Sequence, residues 1–224
     1  MGKLIGGVDD AGRGPIIGPL VVAGVLVPDE LEPELRALGV RDSKLLTPEV
    51  RTKLDAKIRA SALKVSLVEA FPKEIDACVL HGGPFWRLNQ LEARMMANVL
   101  ADLVPREAYV DASDVNEGRF REGIRDFLPQ SLKRMKIISE HHADRNFPVV
   151  SAASIIAKVR RDALVGELHS EYGDFGSGYL TDPKTMSFLR TWRQAHREYP
   201  PIVRMSWRTI RGLEAEIGQT RLVA

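Results

Sequence analysis

The sequence predicts a mixed α/β fold, with one sheet flanked by helices and a smaller helical region after it. Three observations lead to this. The apolar runs "KLIGGVDD" and "PLVVAGVLV" are separated only by a Gly-rich turn, so the two strands pair antiparallel. The later runs "EAYVDAS" and "MKIISE" are separated by a helical stretch, which favours parallel pairing. Beyond "GSGYLTDP" the apolar residues recur at helical period. The expected domains are residues 1–180, holding the sheet, and 181–224, a small helical C-terminal domain.

Each element has a local reason. After the two opening strands, "LLTPEVRTKLDAKIRA" offers Thr47 as an N-cap and Pro48 at the first helical position. "LKVSLVEAF" has the alternation and β-branching of a third strand. Leu88, Leu91, Met95, Val99 and Leu103 fall near helical spacing and mark a buried helix face. "EAYVDAS" is a short strand ending at Asp111, and a helix around "GRFREGIRDFL" leads to "MKIISE". A long helix is expected from about Ser151. Asp182 and Pro183 cap another that carries Phe188, Leu189, Trp192 and Ala195, and a final helix covers about Ser206–Ile217.

Composition narrows the class. The 224 residues are 44% hydrophobic and 28% charged, as in ordinary soluble domains. A single cysteine, Cys78, leaves no internal disulfide and fits a reducing cytoplasm. The run from Pro15 to Pro28 is too short to span a bilayer and is broken by Gly and Pro, so no membrane association is expected. Net charge is only +2, but between Lys184 and Arg211 seven basic residues face one acidic residue, Glu198. Such a stretch is either a solvated helical face or a footprint for a polyanion.

Carboxylates stand where strands stop: Asp9 and Asp10 after the first, Asp111 after the fourth and Asp144 just beyond the fifth. Ligands collect at strand ends in open α/β sheets. Clustered like charges demand a counter-cation, and hard oxygen ligands select Mg²⁺ or Mn²⁺. Adjacent strand residues point to opposite faces, so Asp9 and Asp10 share a site only if the strand breaks there, for which Ala11-Gly12 is the candidate. The pattern points to metal-dependent phosphoryl chemistry. Each aspartate taken alone is better read as a cap or turn residue, and only the strand-end pattern joins them.

The string "GVDDAGRGPIIGPLVVAG" resembles the first motif of the ribonuclease HII family. "RDSKLLTPEVR", "LNQLEARMMA", "YVDASDVN", "FPVVSAASIIAKVRRD" and "GSGYLTDP" match further family segments in order, with features of the archaeal branch. The resemblance implies an RNase H-like fold and a two-metal endonuclease. It implies cleavage of RNA in RNA–DNA hybrids and on the 5′ side of single ribonucleotides in duplex DNA, leaving 3′-hydroxyl and 5′-phosphate ends. It assigns Asp9, Asp10, Asp111 and Asp144 as catalytic metal ligands for Mg²⁺ or Mn²⁺, with Asp10 standing where the family usually has Glu. It assigns Gly12, Arg13 and Gly14 to contact with the ribose 2′-hydroxyl, Tyr179 to stacking on the next deoxyribose, and Lys44 to a nearby phosphate.

A monomer acting in ribonucleotide excision repair follows from the same likeness. The alternative is a protein that recognises RNA–DNA junctions but cleaves weakly because Asp10 is short. Lys158, beside Arg160 and Arg161, reads as part of a solvated helix face. His141 and His142 lack zinc-site spacing and read as a loop flanking Asp144. Gln219-x-x-Leu222 is half of a sliding-clamp peptide at most, since no aromatic pair follows.

Overall fold

The computed structural model describes residues 2–40, 46–81 and 87–214. A five-stranded sheet holds strands β1 (Leu4–Ala11), β2 (Leu20–Pro28), β3 (Lys64–Ala70), β4 (Glu107–Asp111) and β5 (Lys136–Glu140) in the order β3-β2-β1-β4-β5. The β1–β2 pair is antiparallel, and β1–β4 and β4–β5 are parallel, as the connection lengths predict.

Helices α1 (Glu32–Ala37), α2 (Pro48–Ser61), α3 (Pro72–His81) and α4 (Arg87–Leu103) precede β4. After it come α5 (Glu117–Phe127), α6 (Ala143–Asn146), α7 (Pro148–Tyr172) and α8 (Pro183–Ala195), and residues 208–214 are also helical. The expected caps are in place: the Val50 amide donates to the Thr47 hydroxyl at 3.4 Å, and the Lys184 amide donates to Asp182 Oδ1 at 2.9 Å. The long helix begins at Pro148 rather than near Ser151, with proline in the first position. α3 was not expected, because only Pro72 and Ile75 are buried along it and its apolar stripe is narrow. Among the described residues, no helix is long and apolar enough to cross a membrane.

The chain forms two compact units. One comprises Met1–Ala11, Leu20–Glu69 and Leu88–Asp162; the other comprises Gly12–Pro19, Ala70–Arg87 and Ala163–Ala224. The first unit contains the sheet, whose strands bury Val8, Val22, Val25 and Val110 against water. Its close packing depends on Gly7. A β-carbon there would lie 2.3 Å from the carbonyl carbon and oxygen of Val149, so only glycine lets the start of α7 rest on β1.

The second unit has its own apolar cluster, which includes Ile16, Ile17, Phe175, Leu189, Val203 and Leu213. Ile17 pairs with Val203 in an isolated antiparallel bridge, and the Ile16 and Ile17 amides donate to the Gly178 carbonyl at 2.8 and 3.2 Å.

Candidate functional site

Parallel pairing brings the carboxyl ends of β1, β4 and β5 to one edge of the sheet, with Val8 opposite Val110 and Asp111 opposite Glu140. Asp9 and Asp111 therefore stand near each other. Asp9 is only 5% exposed, whereas Asp10 and Asp111 are half-buried. The expected break of the strand between Asp9 and Asp10 is not found. Pairing with β2 stays regular through Asp9–Ala23, Asp10–Val22 and Ala11–Val21, and the chain departs only at Gly12, whose φ is +92°. A break is not needed for proximity: the Asp10 charge acts on Asp9, and Asp10 Oδ1 accepts from Ser113, two residues beyond Asp111, so both carboxylates stay near the strand ends.

Donors hold the carboxylates of Asp9, Asp10 and Asp111. The Asp10 amide donates to Asp9 Oδ1 at 2.7 Å, and the Ser154 hydroxyl bonds to Asp9 from α7. Lys158 Nζ, one helical turn further on, donates to Ser154 Oγ at 3.0 Å. Lys158 is therefore not a solvated side chain, as its helix face suggested. It is half-buried and joined through Ser154 to Asp9. The Ser113 hydroxyl donates to Asp10 Oδ1 at 3.4 Å, and the Ala143 amide donates to Asp111 Oδ1 at 2.8 Å. That amide belongs to the first residue of α6, which also carries the buried Asp144. Ser151 Oγ donates to the Asp144 carbonyl and fixes α6 to the start of α7.

His142, with φ +58°, makes the left-handed turn into α6, and His141 lies 3.9 Å from Glu117. Among the described residues, no three carboxylate, imidazole or thiol side chains converge, as they stand, closely enough to hold a metal ion. The donor set still suits a hard divalent cation. Burial pushes the Asp9 carboxyl well above its ordinary range, and the charges of Asp10 and Asp111 push it further, against the opposing bonds from Ser154 and the Asp10 amide. A cation of high charge density relieves such a cluster.

The Gly-Arg-Gly loop lies in the second unit with Tyr179. Gly14 is exposed, and a β-carbon on it would be 3.7 Å from Tyr179 Cε1, so the loop and the tyrosine, 39% exposed, adjoin. Asp182 holds the segment before Tyr179, accepting from the Ser177 amide at 2.7 Å and its hydroxyl at 2.8 Å. Two residues outside the expected site support the loop: Arg204 and Trp207, which hydrogen-bond to its carbonyls. Lys44, Gln219 and Leu222 lie outside the described residues.

The basic stretch is less available than its composition suggested. Lys184 is paired with Asp174 at 2.7 Å, and Arg193 reaches Glu214 with two bonds of 2.8 and 3.1 Å. Arg204 is fully buried. Arg190, Arg197, Arg208 and Arg211 remain at the surface.

A mixed sheet of this order, with acidic residues at the ends of its parallel strands, defines an RNase H-like hydrolase. The model of the ribonuclease HII family matches residues 6–210. The chain belongs to the ribonuclease HII family and is a type 2 ribonuclease H.

It is 44% identical to ribonuclease HII of Methanosarcina barkeri over 223 residues, covering 97% of this chain and 98% of that protein. The Pyrococcus furiosus ribonuclease HII is 46% identical, covering 95% and 92%. Among solved structures, ribonuclease H2 from Pyrococcus horikoshii aligns with a TM-score of 0.85 at 40% identity, over 95% of this chain and 98% of that one. The PCNA:RNase HII complex from Archaeoglobus fulgidus gives 0.81 at 37% identity, over 92% and 95%. A Bst-RNase HIII in complex with Mn²⁺ shares the fold at 19% identity, with a TM-score of 0.74 over 95% of this chain and 70% of that one.

Proposed function

We propose that this ribonuclease hydrolyses the RNA strand of RNA–DNA hybrids and cuts on the 5′ side of single ribonucleotides in duplex DNA. Water adds to phosphorus and the bond to the 3′-oxygen breaks, leaving a 3′-hydroxyl and a 5′-phosphate. The observation that carries this reading is Asp9, buried beside the charges of Asp10 and Asp111 at the strand ends.

Asp9, Asp10, Asp111 and Asp144 would hold Mg²⁺ or Mn²⁺. A divalent cation bound there supplies a Lewis acid to the phosphate and lowers the pKa of water. The chain's own groups do the rest. Ser154 and the Asp10 amide fix the Asp9 carboxylate. Gly12, Arg13 and Gly14 read the 2′-hydroxyl, the group that distinguishes RNA from DNA. Tyr179 packs against the following deoxyribose, and Lys44 meets a nearby phosphate. The C-terminal region holds the duplex backbone through its surface arginines, Arg190, Arg197, Arg208 and Arg211.

The setting is a cytoplasmic monomer in ribonucleotide excision repair. A sliding clamp is a further partner in this reading, supported by the complex formed by the Archaeoglobus fulgidus relative.

The test is cleavage of a duplex carrying one ribonucleotide, with Mg²⁺ or Mn²⁺, mapped to the nucleotide. A cut 5′ of the ribonucleotide is the expected result. Tight binding with negligible cleavage in both metals would favour the junction-binding alternative.

A further inference from the structure

Among the described residues Arg204 is the largest fully buried side chain, at 0% exposure, and its guanidinium faces backbone. Nη2 donates to the Gly12 carbonyl at 2.6 Å, Nη1 to the Arg13 carbonyl at 3.0 Å and Nε to the Gly18 carbonyl at 2.9 Å. Its own amide donates to the Ile16 carbonyl at 2.8 Å. The guanidinium carbon stands 5.0 Å over the ring of Trp207, and the indole Nε1 donates to the Gly14 carbonyl at 3.3 Å. Asp76 fixes the turn between the two, accepting from the Met205 amide at 2.8 Å and the Ser206 amide at 2.9 Å. All three carbonyls of the Gly-Arg-Gly loop are thus drawn to one side.

Burying a guanidinium is costly unless its donors are used in good geometry. Here they are spent on the loop. A trans peptide is planar, so its N–H points away from its C=O. With the Gly12 and Arg13 carbonyls turned to Arg204, the amides of Arg13 and Gly14 must face the other way. The positive charge behind the carbonyls also polarises those peptides and strengthens their N–H groups as donors. Pro15 follows Gly14 and has no N–H, so the outward donors number two and lie at Arg13 and Gly14.

We infer that Arg204 and Trp207 are positioning residues that hold the Gly-Arg-Gly loop with its amides outward, and so set discrimination between ribose and deoxyribose. The inference rests on the proposed reading of the loop as the 2′-hydroxyl contact. Arg204 does not touch substrate in this scheme; it acts through the loop. Lysine is no substitute, because one ammonium on a flexible stem does not reproduce a rigid fork reaching three carbonyls.

The experiment compares equilibrium binding of two duplexes differing in one 2′-hydroxyl, with Ca²⁺ replacing Mg²⁺. The wild-type ratio of affinities is the reference. Arg204→Lys is expected to lower that ratio by about tenfold while leaving affinity for the all-DNA duplex unchanged. Trp207→Phe keeps the ring under the guanidinium and removes only the bond to Gly14, and is expected to lower the ratio by about threefold. If Arg204→Lys does not fold, the Trp207→Phe ratio decides. A folded variant set with the wild-type ratio overturns the inference, as does an equal loss on both duplexes. A wild-type ratio of one instead overturns the loop's assigned role.

Discussion

Gly7 and Val149 touch backbone to backbone: a β-carbon on Gly7 would lie 2.3 Å from the Val149 carbonyl. This contact sets how near α7 comes to β1, and α7 carries Ser154, which bonds to Asp9. Gly7→Ala should therefore strain both the core and the corner that holds Asp9. Overpacking of this kind costs about 1–3 kcal/mol, so a fall in Tm of roughly 5 °C is expected. Displacing Ser154 by on the order of 1 Å should slow cleavage by up to about 10²-fold. Thermal unfolding and single-turnover cleavage check the two effects separately.

Asp9→Asn should separate stability from activity. The substitution removes a buried charge held beside two others, so the variant in EDTA should melt at or above the parent's temperature. Cleavage should fall by orders of magnitude, and the parent should also lose activity in excess EDTA. A parent that turns over normally in EDTA would falsify the metal requirement.

Asp10 pairs regularly with Val22 in an unbroken strand. Its carboxylate sits about one carbon–carbon bond short of a glutamate's reach. Mg²⁺ tolerates little departure from its ligand distance of about 2.0–2.1 Å. Asp10→Glu should therefore cut faster than the parent in Mg²⁺, with a smaller gain in Mn²⁺. Equal single-turnover rates in Mg²⁺ would mean that Asp10 already reaches its position.

Asp114 is buried, and its carboxyl is held down to about 2 by Arg119 first, then by the Asn116 amide and Asn89, against the opposing effect of burial. A depressed acid stabilises the fold above its unfolded pKa, near 3.8, and loses that contribution as pH falls through about 2. The contribution is about 2 kcal/mol. Between pH 4 and pH 2 the wild type should lose more stability than Asp114→Asn by that amount, measured by denaturant unfolding at each pH.

Arg193 is committed to Glu214, whereas Arg197, Arg208 and Arg211 are exposed. Neutralising those three should flatten the salt dependence of duplex binding, by up to about 0.9 in logarithmic slope per lost phosphate contact. Arg193→Gln should leave the slope unchanged and lower Tm instead. A titration across salt concentrations distinguishes them.

Local signals were legible where one residue does one job. Thr47 with Pro48 and Asp182 with Pro183 fix helix starts through their own side chains and rings, and the structure agrees. The strand-end aspartates were legible as a group because they recur at the same place in successive elements. What escaped was chemistry that runs through backbone. The partners of Arg204 are carbonyl oxygens, which every residue possesses, so composition shows only another basic residue in a basic stretch. The Lys158–Ser154–Asp9 connection joins residues far apart in sequence, and the exposed-looking helix face gave no hint of it. α3 buries too few side chains to leave a periodic trace.

The Arg204 bond to Gly12 spans 192 residues of chain. During synthesis the loop at Gly12 must wait for Arg204, 192 residues later, before its brace exists. Contacts this distant along the chain form late, since long closures must be made before they are rewarded. In the proposed reading, an unfinished chain would carry the strand-end aspartates before the loop that tells ribose from deoxyribose is braced.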